Sequence, residues 1–460
     1  MPPDRTPAIS AEREWVLRAG YPKVAALRHD FIWGVSTSSF QIEGATRQDG
    51  RGLSVWDVYC RKGKVANRET GDPACDHYHR YSEDIALMRQ LGVQAYRFSV
   101  AWPRVLPLGR GTPNESGLTF YDRLIDAILA AGIEPWLCLY HWDLPHALDE
   151  LGGWSNREAV KWFADYAALV AARYGDRVKR FATFNEPSIF TLFGLGFGGK
   201  PATSSADLLH RSIHHINLAH GAAVGVLRAR VTEGSIGCIH NCQPCLPATA
   251  ADAEAAERCD AYWNKAFPDP QYLGSYPECM QAAIAPHLRA DDLAHICKPL
   301  DWIGINHYSP VYVKAAPKEV LGFVVGEKPA GIPLTPNGWP IAPASFTDTL
   351  LYVYGRYALP VYVLENGFGG YDKPDENGAV IDSDRIDYLH AYIDALNSAV
   401  SRGADIRGYF IWSLLDNFEW DAGYGVRFGL VYTDYPTQRR IPKASFDWYR
   451  TLIETSRTRT

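Results

Sequence analysis

The sequence has no run of 18 consecutive apolar residues, which excludes an obvious membrane span. Its N-terminal stretch, MPPDRTPAISAEREWVLRAG, is charged throughout and lacks the 7–15-residue apolar segment of a secretory signal. Residues 1–25 are therefore expected to form a short leader. Basic blocks are missing as well: 46 Lys and Arg against 52 Asp and Glu leave a net charge of -6. That balance offers no electrostatic footprint for nucleic acid or anionic lipid, and a neutral small molecule fits better as partner. No Walker pattern occurs, and the one G-x-G-x-x-G string, GLGFGG at 194–199, does not directly follow a candidate strand, so a dinucleotide or nucleotide cofactor has no support. Nine cysteines, an odd number scattered along the chain, suit reduced thiols in the cytoplasm better than a disulfide framework.

What is present is ordinary globular composition, 47% hydrophobic and 21% charged, enough to bury a large core. The 14 Trp and 26 Tyr serve either that core or a site that stacks on the C–H faces of sugars. A chain of 460 residues allows several domains, but barrels with long insertions exceed about 400 residues as one unit. One catalytic domain over residues 26–455 is expected.

Short apolar runs alternate with helical periodicity, the pattern of a parallel sheet. In one unit Ser82 is expected to cap a helix whose first turn holds Glu83 and Asp84. Ile85, Leu87, Met88 and Leu91 would face inward, and Gly92 would end it. The same grammar returns at Leu124, Ile125, Ile128 and Leu129 before Gly132, and at Ile386, Leu389, Ile393 and Leu396 before Gly403. Candidate strands are FIWGVS, AYRFSV, EPWLCLY, KRFATFN, GSIGCIHN, DWIGINH, VYVLEN and RGYFIW. Eight is the number of a (β/α)8 TIM barrel with long βα loops, although an open doubly wound α/β sheet uses the same units. The Pro- and Gly-rich segment from about 310 to 345 interrupts the pattern and reads as a long loop.

Barrel active sites lie at the C-terminal ends of the strands. There, strand four runs into Asn185-Glu186-Pro187 and strand seven into Glu365-Asn366-Gly367. A lone Glu at a strand end is usually a solvated loop carboxylate. Two of them at one barrel mouth suit the cleavage of a glycosidic bond, which needs one carboxyl group to attack the anomeric carbon and one to protonate the leaving oxygen.

These motifs resemble those of glycoside hydrolase family one, whose β-glucosidases carry NEP at the acid/base and ENG at the nucleophile. The resemblance runs from Phe31 to about Tyr449 through CDHYHRYSEDIALMRQLGVQAYRFSVAWPRVLP, LYHWDLPHAL, FATFNEP, DWIGINHY, VYVLENG and YFIWSLLDNFEWDAGYGVRFGLVYTD. It implies a TIM barrel, no cofactor, no metal, and a pocket that admits a single non-reducing sugar of a small β-glycoside. Glu186 then falls on the acid/base and Glu365 on the nucleophile. Gln41 and Glu419 fall on positions that hold the distal hydroxyls, His141 and Trp420 on those for the 3-hydroxyl, and Asn185 on that for the 2-hydroxyl. Trp412 matches the platform beneath the ring; Asn306 and Phe428 are further candidates for the sugar site. Arg97 and Tyr308 match positions flanking the nucleophile, and Trp339 a wall of the aglycone site. Outside that context His141, Trp142, Trp412 and Trp420 read more readily as core residues.

The chain departs from the family at Ser188, where Trp is usual, at Leu364, where Thr is common, and at His307, where Tyr is common. GLGFGGKPATSS, residues 194–205, lacks the usual His-Ala-Pro-Gly and points to a rebuilt loop and an altered aglycone preference. Cys238, His240, Cys242 and Cys245 resemble half a zinc site, but no second half follows, and buried or redox-sensitive thiols are the expectation. A phosphoglycosidase would need cations near the distal hydroxyls, where the negative charge expected of Glu419 would instead repel a phosphate. A non-catalytic sugar-binding relative would lack one of the two carboxylates. A transglycosidase, or a β-galactosidase or β-fucosidase using the same site, remains open, as does oligomeric state.

Overall fold

The computed structural model describes residues 21–22, 24, 26–196 and 206–457. Most of the expected leader, and positions 197–205 of the stretch after strand four, lie outside the described residues. Eight parallel strands close a barrel: β1 Ile32–Ser36, β2 Ala95–Ser99, β3 Glu134–Tyr140, β4 Arg180–Asn185, β5 Ser235–Asn241, β6 Trp302–Asn306, β7 Val361–Asn366 and β8 Ile406–Trp412. Each pairs with its sequence neighbours, and β8 returns to β1 through Ile32 opposite Gly408. All eight expected strands are present, and closure settles the choice against an open sheet.

Helices α1 His77–Leu91, α2 Glu115–Ala130, α3 Ala159–Tyr174 and α4 Ala206–Arg230 follow the first four strands; α5 Pro343–Tyr357, α6 Ser383–Ser401 and α7 Ala444–Arg457 follow the last three. The connection from β5 to β6 is built of shorter helical pieces, Ala253–Asp260 among them. Helix α1 begins six residues before the expected start: Asp76 occupies the cap in a left-handed conformation (φ 51°), and Ser82 lies within the helix. Asp84 is therefore no first-turn residue. It is buried, with His77 Nδ1 at 2.7 Å and Arg440 Nε donating at 2.9 Å. Gly92 does end the helix, with φ 80°. Leu87 is half-buried and Leu129 is 40% exposed, whereas Ile386, Leu389, Ile393 and Leu396 are buried. The expected loop at 310–345 carries structure of its own. Val311–Ala315 pairs antiparallel with Phe323–Val325 and parallel with Cys245–Pro247.

Outward residues such as Tyr96, Phe98, Phe181, Phe184, Val361 and Val363 pack into the main core, while Ala95, Trp136, Cys138, Ala182, Trp302, Leu364 and Phe410 fill the barrel interior. Strict alternation would then send Asn185 and Glu365 outward. It fails at both strands, because the β4–β5 register shifts between Ala182 and Asn185 and the β6–β7 register between Val363 and Glu365. Such irregularities re-aim a side chain at the cost of a ladder bond. Here they turn Asn185 and Glu365 into the barrel mouth.

Candidate active site

Glu186 follows β4 with φ 50° and ψ 58° and caps the short helix Pro187–Thr191. A proline disfavours the right-handed helical conformation in the residue before it, and a non-glycine left-handed residue is held only where its surroundings fix it. The Glu186 side chain is held on one oxygen: Asn241 Nδ2 and Asn306 Nδ2 each donate to Oε1 at 2.8 Å. Across the mouth, Arg97 Nη1 donates to Glu365 Oε1, and the Tyr308 hydroxyl donates to Oε2 at 2.7 Å. Gly367 follows the Glu365-Asn366 pair where a Cβ would collide with the Trp412 carbonyl oxygen. The ENG motif thus needs its glycine for close approach of two chain segments.

Burial raises the Glu186 carboxyl to about 8, the charge of Glu365 adds to the rise, and the two amides oppose it. Glu365 is also raised by burial, against the pull of Arg97 and Tyr308. Of the two, only Glu365 touches a cation, so it loses its proton first. The Asn306 amide favours the ionised form of both carboxyl groups, which sets them on either side of one side chain.

Asn185 Oδ1 accepts from Arg97 Nη2 at 2.6 Å and from Asn306 Nδ2 at 3.0 Å, while its amide nitrogen lies 3.1 Å from His141 Nε2. Burial and the neighbouring Arg97 push His141 well below its ordinary value and keep it neutral. Its ring stacks on Trp412 at 5.8 Å and on Trp420 at 6.0 Å. Ser38 Oγ donates to Gln41 Oε1 at 2.7 Å, which turns Gln41 Nε2 toward the Phe418 carbonyl at 2.9 Å and Glu419 Oε2 at 3.4 Å. Trp412 Nε1 donates to Glu419 Oε1 at 3.3 Å. Glu419 keeps a partly open face, yet the protein around it raises its carboxyl to about 8, chiefly by burial. Near neutrality it is a neutral acid, so an argument from fixed negative charge at this spot gives way to one from missing cations.

Tyr308, Trp412 and Phe428 form one apolar cluster. Trp339, 37% exposed, packs on Tyr308 at 5.1 Å and on Phe428 at 5.6 Å and so stands at its outer edge. All the site residues expected from the sequence therefore converge at one end of the barrel. Cys238 is buried in β5, its thiol 3.8 Å from the Phe184 carbonyl. Cys242 is buried and Cys245 half-buried, and among the described residues no group of three or more His, Cys, Asp or Glu is placed to hold a metal ion. Sequence reasoning missed Asn241 and Trp263, whose indole nitrogen donates to Asn241 Oδ1 at 2.8 Å. The only available signal was the position of Asn241 at the C-terminal end of a barrel strand.

The family model of glycosyl hydrolase family 1 matches residues 23–458. Beta-glucosidase A of Thermotoga maritima is 42% identical over 433 residues, covering 92% of this chain and 97% of that protein. A bifunctional beta-D-glucosidase/beta-D-fucosidase of Bifidobacterium breve is 40% identical over 452 residues, with 92% and 97% covered. Among solved structures, that of the beta-glucosidase from Thermotoga maritima in complex with glucoimidazole superposes with a TM-score of 0.88 at 41% identity, covering 95% of this chain and 99% of that one.

Proposed function

Because the chain belongs to glycosyl hydrolase family 1, we propose that it is a retaining β-glucosidase in which Glu365 is the nucleophile and Glu186 the acid/base. The single observation that carries these roles is the different company of two buried carboxyl groups, Glu365 against the Arg97 guanidinium and Glu186 against the neutral amides of Asn241 and Asn306. The first is fitted to be an anion and the second to keep a proton.

In the first step a Glu365 oxygen attacks the anomeric carbon, the glycosidic C–O bond breaks, and the Glu186 proton passes to the leaving oxygen. The sugar is then an ester of Glu365. In the second step Glu186, now ionised, takes a proton from water, the hydroxide oxygen bonds to the anomeric carbon, and Glu365 leaves as a carboxylate. Asn185 and Asn306 hold the 2-hydroxyl, where hydrogen bonds strengthen in the transition state. His141 and Trp420 bind the 3-hydroxyl, Gln41 and Glu419 the distal hydroxyls, and Trp412 and Phe428 the ring faces. Trp339 borders the aglycone.

The substrates are small glycosides and oligosaccharides with terminal non-reducing β-D-glucosyl groups, of the kind cellulose breakdown releases. Residues 26–455 form the catalytic domain. No helix among the described residues is long and apolar enough to cross a membrane. All nine cysteines are free thiols, the state that a reducing cytoplasm maintains and that supports an intracellular site of action. Proton NMR in the first minutes of hydrolysis tests the mechanism. The β-anomer must appear first; initial α-glucose would mean inversion.

A further inference from the structure

The Glu186 carboxyl group is gripped asymmetrically. Both of its amide partners donate to Oε1. Which way an amide faces is set by what its other end must satisfy. The Asn306 carbonyl oxygen has no partner among the described residues, so nothing at that end fixes the amide. Asn241 differs, because its Oδ1 accepts the indole N–H of Trp263 at 2.8 Å. An indole nitrogen only donates. The Asn241 oxygen must therefore face Trp263, and its NH2 must face Glu186. Turning the amide over would strand the indole N–H and set Asn241 Oδ1 against the carboxylate, in a place where both residues are buried.

Trp263 is itself fixed. It lies in the stretch Ala261–Lys265 of the β5–β6 connection, edge-on to Phe193 at 6.0 Å. Its neighbour Asn264 ties that stretch down by accepting from the Gln243 amide at 3.0 Å and donating to the Gln243 carbonyl at 2.8 Å and to Asp260 at 2.8 Å. We propose that Asn241, locked by Trp263, is a positioning residue that fixes which oxygen of Glu186 carries the catalytic proton. An oxygen that already accepts two N–H groups cannot carry a hydrogen of its own without setting it against theirs. The proton is confined to Oε2, the oxygen left for the glycosidic bond. The inference rests on Glu186 being the acid/base.

The charged and titratable groups that face Glu186 are Glu365 from β7, Arg97 from β2, Tyr308 after β6 and Cys242 after β5. Burial lifts Tyr308 and Cys242 out of the working range, so Trp263 and Asn241 can be altered without changing a charge. Removing the Asn241 donor withdraws support from the Glu186 anion, which moves the alkaline limb of kcat/KM upward.

The test compares Trp263→Phe and Asn241→Ala with wild type on an alkyl β-glucoside, which needs the acid, and on 2,4-dinitrophenyl β-glucoside, which does not. In both variants kcat/KM for the alkyl glucoside is expected to fall about tenfold and its alkaline limb to rise by about one pH unit. The dinitrophenyl substrate should change by less than about twofold. If Trp263→Phe does not fold, Asn241→Ala reads the same quantities. Equal losses on both substrates with an unmoved limb would mean a merely structural role and overturn the proposal. A Glu186→Ala control separates the underlying premise: with azide it should give the β-glycosyl azide. If it does not, the acid/base role fails and the proposal falls with it.

Discussion

Tyr308 donates its hydroxyl proton to Glu365 Oε2 at 2.7 Å, while Arg97 holds the other oxygen of the same carboxylate. The Tyr308 hydroxyl is itself pushed well above its ordinary value, first by burial and then by Glu365, so it stays a donor throughout the working pH range. Its bond favours the Glu365 anion. In the proposed mechanism that anion is the attacking form in the first step and the leaving form in the second.

Tyr308→Phe should therefore move the acidic limb of kcat/KM to higher pH, by about one unit. The second step should slow about tenfold, because Glu365 then departs without the hydroxyl that receives its charge. Rapid-quench measurement with an activated aryl glucoside reads both effects. A burst of aglycone larger than in wild type is the expected sign, and an unchanged burst with an unmoved acidic limb would separate Tyr308 from the nucleophile.

Glu365→Ala should abolish turnover of every substrate, since it removes the atom that bonds to the sugar and leaves the pocket in place. Azide or formate fits the vacated space and should restore cleavage of activated glucosides, giving the α-product in one displacement. Product stereochemistry by NMR decides the assignment. Normal hydrolysis by the variant would place the nucleophile elsewhere.

The barrel was legible because each of its strands is a short apolar run set off by turn residues and followed, in most units, by helical periodicity. The end of α6 at Gly403 and of α1 at Gly92 could be read from glycine alone. Other features depend on tertiary context. Alternation along VYVLEN puts Val361, Val363 and Glu365 on one face, yet a register shift beyond Val363 turns Glu365 to the other. The role proposed for Glu365 therefore rests on the ENG motif and not on strand periodicity. Helix α1 starts at His77, after Asp76 in a left-handed conformation; aspartate is a favoured cap residue, but Ser82 offered the same signal and only the fold chooses between them. Trp263 reads as one more core aromatic in the sequence. Its meaning lies in the direction of one N–H bond.

Glu419 leads to a prediction about phosphorylated sugars. Gln41, Trp412 and Asn417 bond to it, all neutral, and burial holds its own carboxyl up to about 8. A phosphate on the 6-hydroxyl would enter this end of the pocket with no cation in contact with Glu419 among the described residues to offset its desolvation. Wild type should thus ignore 6-phosphoglucosides, and Glu419→Ser should weaken glucosides by about tenfold or more in kcat/KM by leaving distal hydroxyls unpaired. Assay of aryl glucoside and its 6-phosphate side by side checks both. Comparable cleavage of the two by wild type would contradict this assignment of the distal end.

Glu186 should contribute to the pH dependence of both activity and stability, the latter alongside the raised carboxyls of Glu365, Glu419 and Asp143. Glu186 has an ordinary value of 4.5 and is raised to about 8, by burial first and the Glu365 charge second. For catalysis this keeps the acid protonated near neutrality. The profile of kcat/KM should be a bell whose alkaline limb belongs mainly to Glu186, within a coupled pair. When the sugar esterifies Glu365 that negative charge is gone, and Glu186 ionises more readily to act as base. For stability the same shift works against the fold. Below the unfolded value both states hold the proton and nothing is lost. As pH rises from 4.5 toward about 8, the unfolded chain ionises freely while the folded site resists, so stability declines across that window and the loss is complete above the folded value. Glu186→Gln keeps the shape and cannot ionise. It should flatten the alkaline limb for 2,4-dinitrophenyl glucoside, and raise the melting temperature at pH 9 by about 2–4 °C while leaving it unchanged at pH 4. Calorimetry at the two pH values and a pH profile of the variant measure these together. A melting gain equal at both, or an alkaline limb that survives in the variant, would assign the titration to some other group and leave Glu186 without its proton-transfer role.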